Sequence, residues 1–203
     1  MPKKQFFNLN KEKQDLILEA AFKEFSKNQF MDASINTIVH ESGISRGSFY
    51  LYFIDKLDVY LYLTGRILEN QSTQFASNIN NAMQNDEFSF FRELFKYNIN
   101  LLSDAEYKHY FKNLYLGMNY EIWSYIRRKQ SMIREELFKT LRIKSIGNDK
   151  NETSENLIHI LEMINRDMIT KKIFEELSDE VIISLYDKRV KLIKTKEDIL
   201  NEK

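Results

Sequence analysis

Proline occurs once in this chain of 203 residues, at Pro2, so no proline ring interrupts a helix anywhere downstream. Glycine is nearly as rare, at five positions, and a sheet-rich chain needs more turn punctuation than that. Leu, Ile, Lys, Glu, Asn and Phe dominate and recur at helical spacing. These features predict an all-α fold of about nine helices joined by short connections.

The first helix is expected over 10–28, capped by Asn10, with Leu16, Ile17, Ala20, Ala21 and Phe25 as its apolar stripe. A short helix starts after Ser34 and stops near Ser42 and Gly43, and another starts after Ser45 and ends near Tyr52. A long fourth helix starts after Asp55 and runs to residue 80. Helices near 87–102, 104–116 and 119–144 follow, then a loop at 145–153, then helices near 154–176 and 179–200.

Several chemistries are excluded early. With no cysteine there is no disulfide, thiol catalysis or cysteine-based zinc site. His40, His109 and His159 stand far apart without metal-ligand spacing, so no metal is expected. No phosphate-binding loop, nucleophile elbow or dinucleotide fingerprint is present, and neither a cofactor nor an enzymatic activity is expected. The opening stretch MPKKQFFNLNKEK has no apolar run of signal-peptide length, and no segment approaches a membrane span. A soluble cytoplasmic protein without membrane contact is the expectation.

The informative segment is SINTIVHESGISRGSFYLYFIDK, residues 34–56. Ser34 caps a helix that buries Ile35, Ile38 and Val39; Gly43 allows a left-handed turn; Ile44 points back inside; Ser45 caps the next helix. Helix, glycine turn and helix make a helix-turn-helix, whose second helix offers its N-terminal residues to base edges in the major groove. Arg46 suits a guanine edge, Gly47 a close backbone approach, and Ser48 a base or phosphate oxygen. The N–H groups after Ser45 suit a phosphate, the hydroxyls of Tyr50 and Tyr52 the flanking backbone, and Lys56 another phosphate. Ser34, Asn36 and Thr37, at the start of the preceding helix, complete the expected DNA-facing set, while Phe49 and Phe53 are expected to pack inward.

The stretch from Phe25 to Tyr60 resembles the DNA-binding domain of the tetracycline-repressor (TetR) family. The resemblance rests on Phe25, Ser34, Ile38-Val39, Gly43-Ile44-Ser45, Gly47, Phe49-Tyr50, Phe53 and Lys56, and covers residues 12–60. The chain departs from the family pattern at Val39, usually Ala, and at Ile54, usually polar. It departs again at Lys27-Asn28-Gln29, where the family has a turn glycine and where Asn28 is expected to tolerate a left-handed backbone. The implied organisation is a helix-turn-helix domain over 1–56 and a helical regulatory and dimerisation domain over 57–203.

The family places effectors among its middle helices, and here residues 90–123 are rich in aromatic side chains. Phe91, Phe95, Asn98, His109, Tyr110, Tyr115, Asn119 and Trp123 are the expected contacts of a small-molecule effector. The last two helices carry apolar seams, Leu157, Leu161, Ile164 and Met168 on one and Val181, Leu185 and Leu192 on the other. The resemblance implies that they form a four-helix dimer interface, so that two recognition helices read a palindromic operator in double-stranded DNA.

Lys plus Arg equals Asp plus Glu at 30 each, and residues 27–56 are themselves neutral. Binding is therefore expected to lean on hydroxyls, backbone N–H groups and helix ends, with Lys3, Lys4, Lys11 and Lys13 of the N-terminal arm adding contacts. Three functions follow in order: a repressor released by a small molecule, a DNA-binding protein whose second domain meets a protein partner, and an enzyme or adaptor that never touches DNA.

Overall fold

Serine, asparagine and aspartate side chains start the helices where the sequence puts them. Asn10, Ser34, Ser45 and Asp86 accept hydrogen bonds from the backbone N–H groups of Lys13 (2.9 Å), Asn36 (3.2 Å), Ser48 (3.0 Å) and Ser89 (3.0 Å). The computed structural model describes residues 1–79, 86–143 and 152–201, with side chains omitted at 152–154 and 195–201. Most of the loop expected at 145–153 lies outside the described residues.

Among the described residues the order is α1 (Lys4–Phe7), α2 (Lys11–Lys27), α3 (Ile35–Glu41), α4 (Arg46–Tyr52), α5 (Lys56–Asn78), α6 (Glu87–Leu101), α7 (Ala105–Leu116), α8 (Tyr120–Thr140), α9 (Glu152–Phe174) and α10 (Asp179–Asn201). All nine expected helices are there, and α1 is an unexpected tenth. The turn after α2 differs from expectation, because Asn28 is extended (φ −124°, ψ 144°) and not left-handed. Its carboxamide donates to Glu24 Oε1 at 3.1 Å, and that buried carboxylate also accepts from Ser34 N–H at 2.7 Å. A side-chain clamp thus closes the turn where the family uses a glycine.

The chain forms two compact units, residues 1–73 with 105–135, and residues 74–104 with 136–203. The grouping differs from the division at 56/57 expected from the sequence. By contacts, α7 and most of α8 join the N-terminal helices. In the first unit α2 packs on α3 and α7, and α1 packs on α4. Its core includes Ile17, Ala21, Phe25, Ile38, Phe49, Phe53, Val59 and Tyr60. Asn113 of α7 donates to the carbonyls of Phe25 (3.1 Å) and Ser26 (2.9 Å), capping the end of α2. The buried Thr64 hydroxyl joins the Tyr60 carbonyl (2.8 Å) to the Tyr110 hydroxyl (2.7 Å).

In the second unit α9 packs on α6 and α10. Phe95 stacks on Tyr186 at 4.3 Å, and Phe90 meets Phe75 at 5.8 Å and Phe138 at 4.8 Å. Here one expectation is corrected. Leu157, Leu161 and Met168, assigned to a dimer seam, are buried within their own chain, because the face of α9 that carries them serves its own core. Ile164 and Leu185 are half-buried. Among the described side chains of these helices, the large exposed apolar residues are Ile160, Met163, Phe174, Val181 and Leu192, so only Val181 and Leu192 of the expected seam are exposed.

Burial pushes the phenols of Tyr60, Tyr110 and Tyr186 above the usual tyrosine value. The folded state resists ionising them, whereas the unfolded chain ionises at about pH 10. Their contribution to stability is therefore complete below that pH and is lost as pH climbs from it toward the folded values. Thermal melting followed from pH 8 upward is expected to hold level and then fall above about pH 10.

Candidate DNA interface

Gly43 has φ +62°, the left-handed turn that the spacing between α3 and α4 demands. Behind it the Ile44 N–H bonds to the Val39 carbonyl at 3.0 Å, and the Ser42 hydroxyl to the Ile38 carbonyl at 2.7 Å. Phe49 and Phe53 are fully buried, as expected, with rings 5.2 Å apart. These contacts fix one face of α4 and leave the other free.

On the free face lie Arg46, Gly47 and Tyr50, all exposed, with Asn36 and Thr37 exposed on α3. The Arg46 guanidinium donates to Asn36 Oδ1 and lies 5.8 Å from the centroid of the Tyr50 ring. Asn36 of α3 and Tyr50 of α4 thereby hold one cation from two sides at the tip of the unit. Ser45 and Ser48 pair through their hydroxyls at 2.9 Å. A Cβ on Gly47 would meet only Ser45 Oγ, at an ordinary 3.7 Å. The fold itself therefore does not need glycine there.

Three lysines expected to contact DNA are engaged elsewhere. Lys56 Nζ donates to the carbonyls of Met31 (3.0 Å) and Ala33 (2.8 Å) and lies 4.9 Å from the Phe30 ring centroid. Lys13 Nζ donates to the carbonyls of Ser42 (2.9 Å) and Gly43 (3.4 Å), and Lys3 Nζ to that of Tyr50 (2.8 Å). Each sits at the carbonyl end of a helix or turn, where a cation offsets unpaired carbonyl charge. Lys11 pairs with Asp15. Tyr52 is half-buried with its ring 6.4 Å from Phe6, and Ser34 serves as the α3 cap. The exposed polar tip of the expected set is therefore Asn36, Thr37, Ser45, Arg46, Gly47 and Tyr50. The Asn36 support and the lysine caps escaped sequence reasoning. The Phe6-Phe7 pair signalled only that the arm itself could dock.

The residues expected to meet an effector are divided between the two units. Phe91 and Phe95 are buried and Asn98 half-buried in the second. His109, Tyr110, Tyr115, Asn119 and Trp123 belong to the first. Two of these are exposed: His109, and Asn119, whose carboxamide caps α8 by accepting from Ile122 N–H at 2.9 Å. Trp123 is half-buried, with Tyr120 at 5.9 Å and the Arg127 guanidinium at 5.2 Å.

Residues 17–63 match the family model for bacterial regulatory proteins of the tetR family, and residues 86–195, more than half of the chain, match the tetracyclin repressor-like C-terminal domain. The chain belongs to the TetR family. It is a DNA-binding transcriptional regulator, and α4 is the helix that in such a unit enters the major groove. Solved structures of transcriptional regulators agree with the fold. A regulator from Chloroflexus aurantiacus is 24% identical with a TM-score of 0.54, the match covering 97% of this chain and 98% of that one. A transcriptional regulator from Pseudomonas aeruginosa is 16% identical with a TM-score of 0.65, covering 95% of each chain. FadR from Bacillus subtilis, solved in complex with stearoyl-CoA, is 15% identical with a TM-score of 0.58, covering 88% of this chain and 96% of that one. No curated protein matches the sequence. Among the described residues no helix is long and apolar enough to cross a membrane.

Proposed function

We propose that this TetR-family regulator is a cytoplasmic repressor that binds a palindromic operator as a homodimer and releases it when a small molecule binds. The observation that carries the reading is the exposed first turn of α4, where Asn36 and Tyr50 hold Arg46 ready for a base edge. Protein and DNA do their work by association, without cofactor or catalytic step. One recognition helix reads too few base pairs for useful specificity, and two about a DNA turn apart read a palindrome. The exposed apolar residues Ile160, Met163, Phe174, Val181 and Leu192 support pairing of α9 and α10 with a second copy.

The effector is assigned to the second unit, on Phe91, Phe95 and Asn98, where the aromatic interior favours an apolar molecule. Stearoyl-CoA in the FadR relative supports that class of ligand. Helix α5 begins in the first unit and ends in the second, so a shift along it would alter the spacing of the two recognition helices. A ligand changes that spacing only by its differential affinity for the two states.

Selection of bound sites from random DNA tests the reading. The expected result is a palindrome with a guanine at matching positions of each half-site; no enriched sequence, or an enriched single half-site, sinks it. With Lys3, Lys13 and Lys56 on carbonyls, binding to random DNA at physiological salt is expected to be weak in a mobility-shift titration, while operator affinity still falls as salt rises.

A further inference from the structure

The segment before α2 lies outside the stretch that matches the family model, which begins at residue 17. Lys3, Lys4 and Gln5 make it polar, yet it is docked. Pro2 and Phe6 are buried. The Phe6 ring stands 6.4 Å from Tyr52, 5.0 Å from Phe53 and 5.6 Å from Tyr62, touching the end of α4, the turn after it and α5. Lys3 binds the end of α4 twice. Its backbone N–H donates to the Tyr52 carbonyl at 2.8 Å and its ammonium to the Tyr50 carbonyl at 2.8 Å.

Helix geometry leaves the last carbonyls of α4 without helical partners. The Phe49 carbonyl is taken by Phe53 N–H at 2.9 Å, and Lys3 fills two of the others. The ammonium also sits at the negative end of the helix. Tyr50 links this end to the other, since its carbonyl is held by Lys3 while its ring lies beside the Arg46 guanidinium.

We propose that residues 2–6 form a strap that sets the orientation of the recognition helix, and that Lys3 is a positioning residue for Tyr50 and Arg46 instead of a DNA contact. This rests on the reading of α4 as the DNA-reading helix. A lysine on a phosphate and a lysine on a helix end make opposite predictions about salt. Each neutralised phosphate contributes about 0.9 to the slope of log affinity against log salt, and a helix cap contributes nothing to it.

The test uses the full chain and the operator recovered by selection, with Lys3→Met, Lys3→Arg and Arg46→Ala compared by fluorescence anisotropy across a salt series. Lys3→Met is expected to weaken operator binding roughly three- to tenfold, with the salt slope unchanged and reduced discrimination against replacing the guanine read by Arg46. Lys3→Arg, which keeps a cationic donor, restores most of the affinity. A slope shallower by about 0.9 in Lys3→Met would show that the ammonium sits on a phosphate, and would overturn the proposal. So would unchanged affinity in Lys3→Met, or a loss confined to thermal stability with discrimination intact. Failure of the underlying reading shows up separately, as an Arg46→Ala protein that binds the operator like wild type.

Discussion

Arg46→Ala is expected to weaken binding to the best operator by about 1–3 kcal/mol, or roughly 5- to 150-fold, while leaving the fold intact. The side chain is exposed and does not belong to the core, so its removal opens no cavity. What disappears is the planar fork that fits two guanine acceptors at once. Arg46→Lys is therefore not expected to restore binding. Asn36→Ala is expected to cost less, because it frees the guanidinium without deleting it. A double-mutant cycle between Asn36 and Arg46, read by anisotropy on the selected operator, should show coupling. Equal affinity of Arg46→Ala and wild type for that operator would contradict base reading by this residue.

Phe49→Ala is expected to cost about 3–5 kcal/mol of stability in the first unit. Phe49 is fully buried on the inner face of α4, with ring neighbours Tyr50 at 5.4 Å and Phe53 at 5.2 Å. Its deletion leaves a void that these flanking rings cannot fill without moving the recognition helix. Trp123, the only tryptophan, lies in this unit, so urea unfolding followed by tryptophan fluorescence reports on the right part of the chain. Phe49→Leu keeps most of the volume and is expected to cost far less. Were the alanine variant as stable as wild type, the inner face of α4 would not be what supports the recognition helix.

Much of the DNA-binding unit was legible because its signals are local. Ser34 and Ser45 cap the helices that follow them, and Gly43 takes the left-handed turn. Each acts through atoms within a few residues, so the order of residue types predicts the contact. The N-terminal lysines show where that logic stops. Lys3 reaches the Tyr50 carbonyl across 47 positions and Lys13 the Ser42 carbonyl across 29. A lysine beside a DNA-binding motif suggests phosphate, and nothing in its neighbours along the chain indicates a distant carbonyl. The seam of α9 illustrates the same limit. Spacing shows that Leu157, Leu161 and Met168 share a face, but an apolar face suits an internal neighbour as well as a second chain.

Nine of the described helices, the caps at Asn10, Ser34 and Ser45 and the glycine turn followed from the sequence itself, since a single proline at position 2 and local hydrogen bonding leave the backbone little else to do. The tertiary structure decided which charged groups remain available. It engaged Lys3, Lys13 and Lys56 with carbonyls and left Arg46 outward between Asn36 and Tyr50. That choice depends on which carbonyl ends come within reach once helices far apart in the chain have packed, and helical periodicity carries no record of it.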